Sequence, residues 1–121
     1  MTTKHWGKSV HIDCGGCDLA KITDGDNIAN FAKELVKRID MKAYGEPQVV
    51  YFAEHDPEKA GYTMTQLLET SAAVFHFVDL NCTLYGDVFS CKDFDIEVVK
   101  QVIQEYFGAQ TYRCVTLDRQ A

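Results

Sequence analysis

The chain has 121 residues, of which 46% are hydrophobic, 25% charged and 12% aromatic, and its formal net charge is −6. This length sets one domain, residues 1–121, large enough to bury a core without staples, and the composition excludes disorder, collagen-like repeats and a coiled coil. No apolar run approaches the roughly eighteen residues of a membrane span, and the acidic balance argues against nucleic acid or an anionic membrane as partner.

Met1 to His5 carries no apolar region of the kind a secretory signal needs. The five cysteines, Cys14, Cys17, Cys82, Cys91 and Cys114, form an odd set. Together these features lead us to expect free thiols in a reducing, cytoplasmic compartment.

In chain order, Ser9 to Asp13 alternates and runs into Gly15-Gly16, which predicts a strand ending in a turn. Ile28, Phe31, Ala32, Leu35, Val36 and Ile39 follow helical spacing, with Asp26 or Asn27 as the expected N-cap and Gly45 as the expected C-cap glycine. Gln48 to Ala53 predicts a strand. Tyr62–Leu68, Ala72–Val78 and Thr83–Ser90 predict three more. A second helix starts near Asp93 or Asp95, carries Ile96, Val99, Ile103 and Tyr106 as its apolar stripe, and closes at Gly108. Thr111 to Thr116 predicts the last strand.

The order β-α-β-β-β-β-α-β, with short turns between the middle strands, favours antiparallel pairing. The expected fold is an α+β two-layer sandwich, a mostly antiparallel sheet with two helices on one face. The other face has no element left to cover it. With apolar strand residues such as Val74 and Val88 in view, we expect a homodimer.

Three constellations could carry chemistry. Cys14-Gly15-Gly16-Cys17 is a lone C-x-x-C. A redox pair wants a helix N-terminus close behind it, and the predicted helix starts well after Cys17. A zinc site wants two more ligands, for which His5, His11 and Cys114 are available without a second paired motif. A structural turn is the expected reading, with no metal. Among the histidines, His5 and His55 fall in polar segments and His11 and His76 in strands, where an imidazole is catalytic only if it has a partner. The third constellation is Thr63, Ser71, His76 and Cys91: a hydroxyl, a nucleophile, an imidazole and a thiol spread over three successive strands. Their convergence is what nucleophile-base-acid chemistry requires, and we expect one cluster.

At these residues the sequence resembles a known family, the short prokaryotic S-adenosylmethionine decarboxylases, which are self-processing pyruvoyl enzymes. Trp6-Gly7 to Asp18 resembles the family's opening strand with its Gly-Cys-Asp end. Gly61-Tyr62-Thr63 stands where the family has Gly-x-Ser. Leu67-Leu68-Glu69-Thr70-Ser71 stands where it has an apolar pair leading to Glu-Ser-His. His76 stands at the family's motif histidine, and Val88-Phe89-Ser90-Cys91 resembles its Val-Phe-Thr-Cys strand end.

The resemblance implies a mechanism. The Ser71 hydroxyl attacks the carbonyl before it, the chain is cut, and Ser71 becomes an N-terminal pyruvoyl group. That group takes a substrate amine and accepts the electrons left by departing carbon dioxide. Thr63 and His76 assist processing, and Cys91 supplies a proton. The implied substrate is a small amine or amino acid, and the implied setting is polyamine (spermidine) synthesis.

The chain also departs from the family's pattern. Thr70 replaces the glutamate before the cut and Ala72 the histidine after the serine. Phe77-Val78-Asp79-Leu80 stands where the family reads Thr-Trp-Pro-Glu, and Pro57 where it has a phenylalanine that stacks on adenine. The processing residues are kept while the nucleoside-binding residues are eroded. Two readings follow: a pyruvoyl-dependent decarboxylase that uses S-adenosylmethionine poorly, or an unprocessed relative that binds a small molecule or regulates.

Overall fold

A computed structural model describes residues 5–121. Its elements are β1 (Gly7–Gly15), α1 (Leu19–Ile22), α2 (Gly25–Arg38), β2 (Gln48–Phe52), β3 (Gly61–Leu68), β4 (Ser71–Val78), β5 (Thr83–Ser90), α3 (Ile96–Phe107) and β6 (Thr111–Arg119). The six strands form one antiparallel sheet in the order β2-β3-β4-β5-β1-β6.

Period-two alternation explains the layering. Val10 and Ile12 of β1, Phe75 and Phe77 of β4, and Leu84 and Val88 of β5 are fully buried on one sheet face. Phe31 and Leu35 of α2 and Val99, Ile103 and Phe107 of α3 meet them from the helix layer. Phe31 ties the layers together, with its ring 5.0 Å from Phe75 and 4.7 Å from Phe107, both edge-on. The α+β sandwich expected from the sequence is the fold observed.

Four details differ from the sequence reading. The one-turn helix α1 was not expected; Asp18 caps it by accepting from the Ala20 amide. The cap of α2 is Asp24, not Asp26 or Asn27, and its carboxylate accepts from both of those amides. The apolar stripe begins only at Ile28, so it cannot reveal the polar first turn. The end of α2 is closed by Asp40 at φ 57, not by Gly45. There the Asp40 amide donates to Lys37 and the Met41 amide to Val36, a Schellman pattern in which aspartate tolerates the left-handed conformation. β6 runs on to Arg119 because β1 offers a partner as far as Gly7.

The second sheet face stays open. Val50, Phe52, Leu67, Tyr85, Val115 and Leu117 are exposed on it, and no helix among the described residues covers them. Val74 lies on this face, whereas Val88 belongs to the core.

Gly61 opens β3 for a packing reason. A Cβ there would collide with the Phe77 carbonyl oxygen of β4. Gly61→Ala is therefore expected to pry apart the end of the β3–β4 pair. The cost is that of overpacking, about 1–3 kcal/mol, read as a lower urea midpoint.

Candidate active site

The β3–β4 hairpin turns on two residues, Glu69 and Thr70. The segment after α2 buttresses it. The Glu69 amide donates to the Lys42 carbonyl at 3.0 Å, the Tyr44 amide donates to the Leu67 carbonyl at 2.9 Å, and Ala43 bridges to Leu68. Thr70 sits at φ 61, a left-handed conformation that a β-branched residue adopts only under constraint. Such strain costs on the order of 1–3 kcal/mol, and here it falls on the residue whose carbonyl precedes Ser71.

Ser71 begins β4 opposite Leu68 of β3 and Ser90 of β5. Those partners are buried on the helix side, so strand parity turns Ser71 the same way. It lines a cleft of about 350 Å³ with Asp40, Lys42, Ser90 and Lys92. Lys92 closes one wall, its ammonium 2.9 Å from the Asp40 carboxylate and its amide donating to Ser90 Oγ at 2.9 Å. The Lys92 ammonium holds the Asp40 carboxyl below its usual range. Cys91 follows at the end of β5, exposed, with its Sγ 2.7 Å from the Thr70 hydroxyl.

Thr63 and His76 form a second pair. They face each other across β3 and β4 on the open sheet face, with Thr63 Oγ1 3.0 Å from His76 Nδ1. That bond leaves Nε2 as the ring nitrogen available to another group.

The four residues expected in one cluster thus fall into two groups within a chain. Ser71 and Cys91 meet Thr70 at one end of the sheet. Thr63 and His76 lie five residues along β4, which at about 3.3 Å per residue is roughly 16 Å away. The odd spacing also turns Ser71 and His76 to opposite faces. Adjacent strands were read from the sequence as convergence, and the antiparallel register separates the pairs.

Two further features flank this hairpin. Leu80 lies in the β4–β5 turn, 63% exposed. The neighbouring Asp79 accepts the Tyr51 hydroxyl on Oδ2 at 2.6 Å, and its Oδ1 is buried without a hydrogen-bond partner. On the open face, Trp6 stacks on Phe89 at 5.8 Å, and the Arg119 guanidinium lies 4.9 Å from the Phe89 ring. With Gln120 they line a cleft of about 480 Å³. Phe89 lies opposite Ala72 and two residues before Cys91, so this platform borders the hairpin end. The sequence reading missed it. Only the alternation of Tyr85, Asp87 and Phe89 on β5 signals that Phe89 faces outward.

The C-x-x-C pair does not have the features of a redox centre. Contrary to the sequence reading, Cys17 does precede a helix, α1. Yet both thiols are buried, and burial pushes Cys14 up to about 12 and Cys17 to about 11. Nearly all of each is protonated at neutral pH and a poor nucleophile. Among the described residues, no group of three or more histidine, cysteine or acidic side chains is placed to hold a metal ion.

Comparison with known proteins agrees with this architecture. No curated protein matches the chain. Among solved structures, the adenosylmethionine decarboxylase from Aquifex aeolicus VF5 superimposes with a TM-score of 0.82 at 18% identity, over 98% of this chain and 94% of that one. That likeness is one of fold. The family model for S-adenosylmethionine decarboxylase matches residues 8–120, nearly the whole chain. The chain therefore belongs to the S-adenosylmethionine decarboxylase family.

Proposed function

We propose that this protein is a self-processing decarboxylase in which Ser71 is the precursor of a pyruvoyl group. Its substrate is a small amino acid that S-adenosylmethionine represents poorly, and its product is an amine for polyamine synthesis. The observation that carries the proposal is the strained Thr70–Ser71 junction, with φ 61 at Thr70 and Cys91 against its side chain. The residues fit such a group. A serine stands at the start of a strand, in a cleft wide enough for a small amino acid, and the residue before it touches a thiol that can give a proton.

The processing step balances within the chain. The Ser71 hydroxyl adds to the Thr70 carbonyl carbon, and the amide C–N bond breaks to leave an ester. Loss of the Ser71 α-proton expels the Thr70 carboxylate. Water then replaces nitrogen at residue 71, releasing ammonia. The group so formed supplies a carbonyl electron sink for decarboxylation. Cys91, against Thr70, would be the residue to supply a proton there.

Thr63 and His76 can serve this bond only from another chain, because their own Ser71 is roughly 16 Å away. We infer a homodimer in which the open faces meet and each copy offers its Thr63–His76 pair to the Thr70–Ser71 peptide at the end of the other's β3–β4 turn. The apolar residues uncovered on that face support this pairing.

A second reading, an unprocessed member that binds a small molecule or regulates, is favoured by the nucleoside-site changes at Leu80 and Pro57. Reductive trapping separates the two readings. Incubation with small amino acids and cyanoborohydride should add one substrate amine's mass, less carbon dioxide where decarboxylation came first, to a fragment starting at residue 71. A single intact chain that takes up no label would favour the second reading.

A further inference from the structure

The side chain before the cut is engaged in a way the processing step does not need. The Thr70 hydroxyl oxygen lies 2.6 Å from the Glu69 carbonyl oxygen and 2.7 Å from the Cys91 sulfur. A hydroxyl has one proton, and a carbonyl has none to give. The Thr70 proton is therefore committed to Glu69, and the contact with Cys91 is completed only if the thiol donates. The result is a short relay from Cys91 S–H to the Thr70 hydroxyl to the Glu69 carbonyl.

We propose that Thr70 is a positioning residue for Cys91: its hydroxyl accepts a hydrogen bond from the thiol and holds the sulfur at the hairpin end until the chain is cut. The role of Cys91 as proton donor rests on the function proposed above; the contact with Thr70 does not.

The charged groups on the surrounding elements are engaged elsewhere. Glu69 pairs with Lys42 at 3.7 Å, and Lys92 with Asp40 at 2.9 Å. On the β1 side, where Gly7 backs the Cys91 Cα, Lys8 pairs with Asp93 at 2.7 Å. Arg119 of β6 lies over the Phe89 ring. Each of these cations among the described residues has its own partner, and the recorded polar contact of the Cys91 sulfur is with the Thr70 hydroxyl.

The test uses a chain that cannot be cut, Ser71→Ala, so it does not depend on whether processing occurs. Alkylation of Cys91 by iodoacetamide is followed by peptide mapping across a pH series. The chain carrying Thr70 is compared with Thr70→Ser and Thr70→Ala in the same background. Serine and alanine make similar demands on the left-handed turn and differ by the hydroxyl alone. The alanine chain should label Cys91 about two- to tenfold faster across the series, the factor one net hydrogen bond supplies. The serine chain should follow threonine. Buried Cys14 and Cys17 serve as internal references and should stay unlabelled. Equal rates for the serine and alanine chains, or slower labelling in the alanine chain, would overturn the proposal.

Discussion

Ser71→Ala is expected to abolish cleavage at the Thr70–Ser71 bond completely, leaving one full-length chain that takes up no substrate amine on reduction. No other side-chain oxygen is attached where an ester to the Thr70 carbonyl could form through a five-membered ring. A half-buried serine at a strand start contributes little packing, so folding stability should shift by no more than about 1 kcal/mol. Denaturing electrophoresis and a urea titration, run side by side, read the two effects separately. Fragments that persist in the alanine variant would place the nucleophile elsewhere.

His76→Ala is expected to slow cleavage of its own preparation by about 10²–10⁴-fold, the usual worth of a positioned general acid or base. The more decisive result comes from mixing. In a hybrid of a Ser71→Ala chain with a His76→Ala chain, the first lends an intact Thr63–His76 pair and the second an intact Ser71. Co-expression with distinguishable tags should restore cleavage of the His76→Ala chain alone. This follows from the separation of the two pairs within one chain, which no side-chain rotation can close. A His76→Ala chain that stays uncut in the hybrid would mean that His76 does not act across the interface.

Much of the fold was legible because its signals are local. The stripe from Ile28 to Ile39 gives α2, and the alternation of Met64 and Leu68, or of Phe75 and Phe77, gives the buried face of the middle strands. Gly108 marks the end of α3 and takes the left-handed conformation expected of it. Capping was less legible, since Asp24-Gly25-Asp26-Asn27 offers several side chains able to cap and only three-dimensional context selects Asp24. Asp40 in place of Gly45 was hidden for a related reason: aspartate is a less common left-handed residue, held here by its bond to Lys92.

The candidate site was legible in identity more than in arrangement. Residue spacing together with the family resemblance named Thr63, Ser71, His76 and Cys91, and the Thr63–His76 contact follows from simple hairpin counting around Glu69 and Thr70. The same counting, carried through, separates Ser71 from His76. The Thr70–Cys91 contact depends on how β4 and β5 line up at Ser71 and Ser90, a register that no single strand encodes. The Trp6–Phe89–Arg119 platform joins three distant parts of the chain through β1, which pairs with both β5 and β6.

The intact mass of the freshly purified protein tests the central claim most directly. The account predicts two species, residues 1–70 and residues 71–121, the second beginning with a keto group where an amine would be. A single species with the full mass of all 121 residues, unchanged on prolonged incubation, would contradict it.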